Sequence, residues 1–528
     1  MSRTRLLLLL GAAIPLAACG ADDIASPGAG GNIIINNPAP SPSPSPSPSP
    51  TPTPGVTPAA DCGGIAGLTD SGLISGPTGS YRVCTLPSRI SQSIQLAKVP
   101  GRLYRINGRV DVGTDGGPTA SAADTNVTLT IDPGVIVFAE SGASWLLVNR
   151  GNKISAVGTA TQPIIFTSRQ NVVGLTNETG SNSSGLWGGI VLAGRAQITD
   201  CATGTPGTAT CERQTEGAID PARYGGATNT DNSGTVSYVQ IRYSGFILSG
   251  NSELQSLTTE GVGRATKLDH IMSFNSSDDG AEFFGGRVNL KYFVSIGAED
   301  DNLDSDTGVK LNAQYVLVVQ KPDVGDSIIE ADTDNTADVD TPRQNTIVSN
   351  MTAIHRFSQS NGTAVLLRGG ADYTIANSII TSPTTCLRIS NGKTIQAADP
   401  AQDDLGPPAF RSVVMQCGAA PFSAGTGVTV DQVSGIFGSG SNNNNSSFTP
   451  TLTNVFVNGA NETATPAFDV TSLNADPQVA GGFFTAVNYI GAFRDGNDQW
   501  YKGWVCNSSI ADFGLANTTG LCTTIPVL

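Results

Sequence analysis

The feature that most constrains this chain is a repeat of about 22 residues made of short alternating strands. Val236-Ser-Tyr238-Val-Gln-Ile241 can be set above Leu268-Asp-His270-Ile-Met-Ser-Phe274, then above Leu290-Lys-Tyr292-Phe-Val-Ser-Ile296 and Ala313-Gln-Tyr315-Val-Leu-Val-Val319. His270, Tyr292 and Tyr315 follow one another at 22 and 23 residues. Residues 346–354 and 373–380 read as later members. A unit this thin cannot bury its apolar face alone, so neighbours must stack. A period of about 20 to 25 residues with Gly, Asn and Asp corners is that of a parallel β-helix. An antiparallel sandwich or a propeller is the rival, but a propeller blade needs about 40 residues and no such unit is present. The spacing predicts an all-β, right-handed parallel β-helix with insertions near Ser181 and over 201–230 and 321–343.

The N-terminus reads as an address. Arg3 and Arg5 precede the apolar run Leu6 to Leu10, and Leu16-Ala-Ala-Cys19 has the form of a bacterial lipobox, which makes residues 1–18 a signal peptide and Cys19 the lipidated residue. An ordinary cleaved signal peptide is the alternative. Residues 19–60 form a Ser/Pro/Thr-rich linker. Proline at every second position of 41–54 fixes φ and removes donors, so that stretch is expected to be a disordered, extended polyproline tether. Residues 61–528 are left for the β-helix and its N- and C-terminal caps. No later apolar run is long enough to span a bilayer, so lipid is the expected anchor.

Net charge is −15, which argues against nucleic acid as a partner and leaves carboxylates for divalent cations. Of nine cysteines, eight remain beside Cys19. They fall into the sequence-local pairs Cys62/Cys84, Cys201/Cys211, Cys386/Cys417 and Cys506/Cys522, one of roughly 105 connectivities, favoured by short loops. No CxxC spacing occurs and only His270 and His355 are present, so disulfides in an oxidising compartment are expected rather than zinc.

The densest polar constellation is Asp278, Asp279 and Glu282, followed one coil later by Asp300, Asp301 and Asp304. Asp278 and Asp300 lie 22 residues apart, so the repeat stacks their carboxylates about 4.8 Å apart. Like charges at that spacing call for a raised pKa or a cation, and hard oxygen ligands suit Ca²⁺. The plainer alternative is that these residues only cap corner amides. The acidic run 330–340 lacks the glycine and terminal glutamate of an EF-hand and reads as a solvated loop, one that could lie over the first cluster. For catalysis, Arg287, Lys291 and Lys310 are the candidate cationic bases of a lyase, and Asp278, Asp279 and Asp301 the candidate set for an inverting glycosidase. His270 and His355 sit inside repeat strands, and Trp145, Trp187, Trp500 and Trp504 among apolar residues, so packing roles are expected for all six.

The segments Lys153-Ile-Ser-Ala-Val-Gly158 to Thr167, Trp187-Gly-Gly-Ile190, Asp278-Asp-Gly280-Ala-Glu282-Phe-Phe284-Gly-Gly and Asp300-Asp-Asn-Leu-Asp304 resemble a family of large bacterial surface lipoproteins. That family occurs in Gram-negative bacteria rich in TonB-dependent receptors, such as sphingomonads and Bacteroidetes. Asn488-Tyr-Ile-Gly491-Ala-Phe493, Trp500 and Trp504 fit it too, and the resemblance runs from about Tyr104 to Trp504. It implies a parallel β-helix and carries no settled activity. Gly20, not Asp, follows Cys19, which by similarity to lipoprotein sorting leaves outer-membrane export open. The expected function is a cell-surface binding or structural module, calcium-stabilised, with a polysaccharide or a TonB-dependent receptor as partner. The alternative is a Ca²⁺-dependent polysaccharide lyase or glycosidase on a pectate-lyase-like β-helix.

Overall fold

A computed structural model describes residues 55–527 apart from 176, 181, 251, 334–339, 360, 361, 419, 480, 515, 516 and 518; the signal peptide, Cys19 and the proline tether lie outside the described residues. Pro54–Leu528 forms one compact unit. It is a parallel β-helix: two long sheets, of 15 and 11 strands, are stacked coil upon coil. The first sheet runs through Lys267–Phe274, Arg287–Ile296, Lys310–Val319, Asn345–Ile354 and Asp372–Ser382, all parallel. The second runs through Leu257–Glu260, Ala281–Phe284, Leu303–Asp306, Ile329–Ala331 and Thr363–Leu367.

The repeat has a backbone cause. Tyr238, His270, Tyr292, Tyr315, Asn350, Asn377 and Ser412 all have φ between 49° and 65°, and each bends its first-sheet strand into two segments. The strand register skips them: Ser237 faces Asp269 and Val239 faces Ile271, with the left-handed pair between. A left-handed residue other than glycine costs about 1–2 kcal/mol. Stacking offsets that strain, because the rings of Tyr238, His270, Tyr292 and Tyr315 lie at 4.1, 4.3 and 4.8 Å in succession. Counted between these bends, the coils are 32, 22, 23, 35, 27 and 35 residues long. The insertions lengthen the loops between bends while the column of bends stays aligned.

Inward residues such as Leu290, Phe293, Phe283 and Leu303 build one continuous interior. The outer face of the first sheet is apolar as well, with Met272, Phe274, Val294, Ile296, Leu317 and Val319 in a second cluster. That is why these strands read as nearly unbroken hydrophobic runs. The cover is the C-terminal segment, which runs back over earlier and earlier coils. Phe468 meets Asn377, Thr485 meets Gln314, Trp504 meets Gln240, and Cys522 meets Arg242 and Asn171. Trp145, Trp187 and Trp504 are buried, in keeping with packing roles. The hairpin Thr69–Gly76/Gly79–Thr85 begins the unit, and the helix Val430–Phe437 packs on Phe410 and Phe422 near the other end. Thr429 and Gln432 form a capping box on that helix. Thr429→Ala is therefore expected to cost about 1 kcal/mol in a denaturant titration, with no change in the sheets.

The four disulfides join Cys62 to Cys84, Cys201 to Cys211, Cys386 to Cys417 and Cys506 to Cys522. Nearest-neighbour pairing is thus the one adopted, and it points to an extracytoplasmic protein. Among the described residues no helix is long and apolar enough to cross a membrane.

Candidate functional site

Each coil passes from the first sheet into the second through a corner at 275–280 or 297–302, and the acidic residues stand there. Gly280 is forced by proximity: a Cβ would lie 2.2 Å from Ser295 Oγ and 2.7 Å from the Asn302 carbonyl oxygen. With the chain pressed against the next coil, Asp278 and Asp279 are turned to the outside of the corner. Two residues on, the second sheet sets Thr258, Glu282, Asp304 and Glu330 in register on adjacent strands, a ladder with rungs about 4.8 Å apart.

Asp278, Asp279, Glu282, Asp304 and Glu330 line a cavity of about 270 Å³ together with Glu216, Glu253, Gln255, Asp300 and Asp301. Nine carboxylates thus share one space with a single amide. Asp278, Asp279 and Asp300 each offer an oxygen within 4.8 Å of the others, and so do Asp279, Glu282 and Asp304. Part of the cluster does cap corners: Asp279 accepts from the Asp301 N–H at 2.8 Å, and Asp301 from the Ser327 N–H at 2.6 Å. Among the described residues Asp278 accepts only from Gln255 Nε2, at 3.1 Å. Glu282 is 7% exposed and its carboxylate has no hydrogen bond or ion pair among the described residues. Burial first, and then the neighbouring charges, push Asp278 up to about 8 and Asp300 up to about 6. The same causes hold Asp279, Glu282, Asp301 and Asp304 well above the usual carboxylate range.

The candidate bases are elsewhere. Arg287 bonds the Gly286 carbonyl and Gln197 Oε1, Lys291 lies 4.9 Å over the Phe483 ring, and Lys310 pairs with Asp403 at 2.7 Å. All three belong to first-sheet strands, on the far side of a corner from the cavity. Beside the cavity stands a cation that spacing alone did not single out: Arg368, paired with Glu330 and with Asp332 at 3.3 Å. Burial lowers its pKa, but Glu330 and Asp332 more than restore it, so it stays charged and is no proton acceptor. Glu330, read as part of a solvated loop, is instead a half-buried strand residue of the ladder. Its turn came out as a strand because Ile329 and Ala331 on either side point into the core.

Glu216 and Glu253 were also missed, because they reach the cavity from insertions. Thr215 donates to the buried Glu260 at 2.7 Å, and Tyr224 packs on Phe284 at 6.4 Å, which docks the 201–230 insertion on the second sheet beside the cavity. Among the described residues no hydrolytic triad forms around the histidines. His270 Nδ1 meets Asp269 at 2.6 Å between stacked tyrosines, and His355 is held by Ser382 Oγ and the Asp326 carbonyl.

Stacked parallel coils agree with a family model that matches residues 117–453 and describes a pectate-lyase-like β-helix domain. The chain belongs to the pectate-lyase-like β-helix domain family. The match covers most of the coils, including every residue of the cavity, and ends before the returning C-terminal segment. No curated protein and no solved structure matches the chain. Family membership accounts for the coil architecture; which chemistry the cavity supports has to be argued from its own residues.

Proposed function

We propose that this protein is a calcium-binding β-helix module that engages acidic glycans outside the cytoplasm, held at the outer membrane by a lipid on Cys19. One observation carries the reading: nine carboxylates surround about 270 Å³, with Glu282 buried among them and unbonded. At neutral pH so much charge must be protonated or met by a cation. Ca²⁺ accepts about six to eight oxygens in flexible geometry, and the absence of histidine or cysteine from the lining residues makes this a hard-ligand site. Asp278, Asp279 and Asp300, or Asp279, Glu282 and Asp304, would hold the ion through one carboxylate oxygen each. Coordination positions left over would face solvent, where the carboxylates of a uronate chain are suitable donors. The lipobox, the proline tether and the disulfides support the location, and a TonB-dependent receptor as partner follows from the lipoprotein resemblance.

The alternative, a Ca²⁺-dependent lyase or a glycosidase, draws on the family. A lyase needs a base beside the cation, and the cation present, Arg368, is held charged by two carboxylates. An inverting glycosidase needs carboxyls about 6.5–9.5 Å apart to admit water, whereas the oxygens of Asp278 and Asp279 lie within 4.8 Å. The geometry therefore favours binding. A panel of glycans offered to the full chain, with calcium or with EDTA, tests it when binding and product release are scored together. Calcium-dependent binding without product is the expected outcome. Release of unsaturated oligosaccharides would establish elimination chemistry and overturn the reading.

A further inference from the structure

The opposite end of the second-sheet strands carries the reverse charge. As each coil leaves that sheet it places Arg264, Arg287 or Lys310 at the corner, on three successive turns. Arg287 and Lys310 are register partners on adjacent strands. Asn229 and Gln197 link the two positions: the Arg264 backbone N–H donates to the Asn229 backbone carbonyl, the Asn229 side-chain Nδ2 donates to Gln197 Oε1 at 2.8 Å, and Arg287 Nη2 donates to that same oxygen at 3.3 Å. Lys310 has a carboxylate partner in Asp403. The two guanidinium groups have none: Arg287 bonds only neutral oxygens, and among the described residues the Arg264 side chain has no hydrogen bond or ion pair, its Nε being buried and unsatisfied. Asp403, already paired with Lys310, is the carboxylate whose charge reaches Arg287, so on a protein of net charge −15 two neighbouring arginines that make no ion pair of their own leave room for an outside anion.

We propose that the Arg264–Arg287 corner is a second, cation-independent binding site that takes an oxyanion group, a carboxylate or sulfate ester, of an acidic polysaccharide. The guanidinium fork matches such groups in shape as well as in charge. Burial brings Arg287 down to about 10; the Asp403 charge opposes that shift, and the nearby Arg264 adds a smaller push in the same direction as burial. From Glu282 to Arg287 the chain advances about 16 Å at most, so one extended polyanion can touch the calcium cavity and the corner together. The identity of the polymer rests on the glycan-binding reading above; the corner itself does not need the calcium.

The test measures binding of the full chain to dextran sulfate, neutral dextran and inorganic sulfate in EDTA at physiological salt. Dextran sulfate is expected to bind and dextran not to. Arg264→Glu should weaken binding about tenfold or more, while Arg494→Ala, an exposed arginine on the returning segment, leaves it unchanged. Arg264→Glu breaks no side-chain bond, so a melting temperature equal to that of the parent is expected alongside the lost binding. Arg287→Ala is the companion variant and should lose a similar factor. Equal binding by Arg264→Glu, or equal binding of neutral dextran, overturns the proposal. Binding of inorganic sulfate without the polymer overturns the polysaccharide assignment. Binding that appears only with calcium moves the polyanion to the acidic cavity and overturns the corner; calcium uptake that fails while dextran sulfate still binds overturns the cavity reading instead.

Discussion

Glu282→Gln is expected to raise the melting temperature of the calcium-free protein at mildly alkaline pH and to remove most of its response to calcium. The carboxyl of Glu282 is buried without a hydrogen-bond or ion-pair partner among the described residues, and its pKa stands well above 4.5 through burial first and then Asp304 and Asp278. In the unfolded chain the group ionises near its ordinary value. Above that pH the native state holds a proton the unfolded state has released, so stability falls as pH rises, by about 1.4 kcal/mol per pH unit for each such group. Glutamine has the same shape and no proton to hold, so it escapes this cost and should gain a few kcal/mol at neutral pH and above. It also presents one oxygen where the ion needs a charged ligand. A variant that is less stable than the parent without calcium, or that responds to calcium as the parent does, would show that the cavity is no cation site.

The same sign governs the parent protein. Asp278, moved from 3.8 to about 8, contributes a stability that is full below its unfolded value and is lost as pH rises toward its folded value. The calcium-free protein is therefore expected to lose melting temperature steadily from about pH 4 to about pH 8. Calcium binds the ionised form and should flatten that slope, adding about 2.7 kcal/mol at a hundredfold excess over its Kd.

Asn377→Val should cost about 3–8 kcal/mol, the larger part of it where the returning segment meets the first sheet. Asn377 has φ of 49°, and its side chain donates to the Phe468 carbonyl at 2.9 Å and accepts from the Phe468 N–H at 2.7 Å. Valine leaves both backbone groups of Phe468 unsatisfied, at about 1–3 kcal/mol each, and forces a β-branched residue into the left-handed region at about 1–2 kcal/mol more. Asn377→Gly adopts the bend freely and should show only the hydrogen-bond part. Urea titration gives the two costs, and limited proteolysis near Phe468 reports whether the segment lifts. Equal stability of the valine and glycine variants would show that the bend carries no strain.

Much of this architecture was legible in the chain. His270, Tyr292 and Tyr315 already stood out as equivalent positions, with 346–354 and 373–380 as later members, because each coil needs one residue that tolerates the bend, and aromatic or amide side chains reward it by stacking or capping. The acidic coils were legible for the same reason, since Asp278 and Asp300 share a corner one period apart. The pairing of the cysteines followed from short loops. Glu216, Glu253 and Glu330, and Arg368 beside them, were not legible, because they reach the cavity or its edge from insertions and coils of irregular length. Nor was the direction of Arg287, Lys291 and Lys310: spacing along a solenoid gives height along its axis but not the side to which a residue turns. The sequence by itself determined the coil, its corners and the stacking of like residues, all of which are local and periodic. Only the tertiary structure decided which carboxylates face one cavity, which cations stay away from it and what covers the outer face of the long sheet. Those contacts join residues up to 351 positions apart, and no local pattern encodes them.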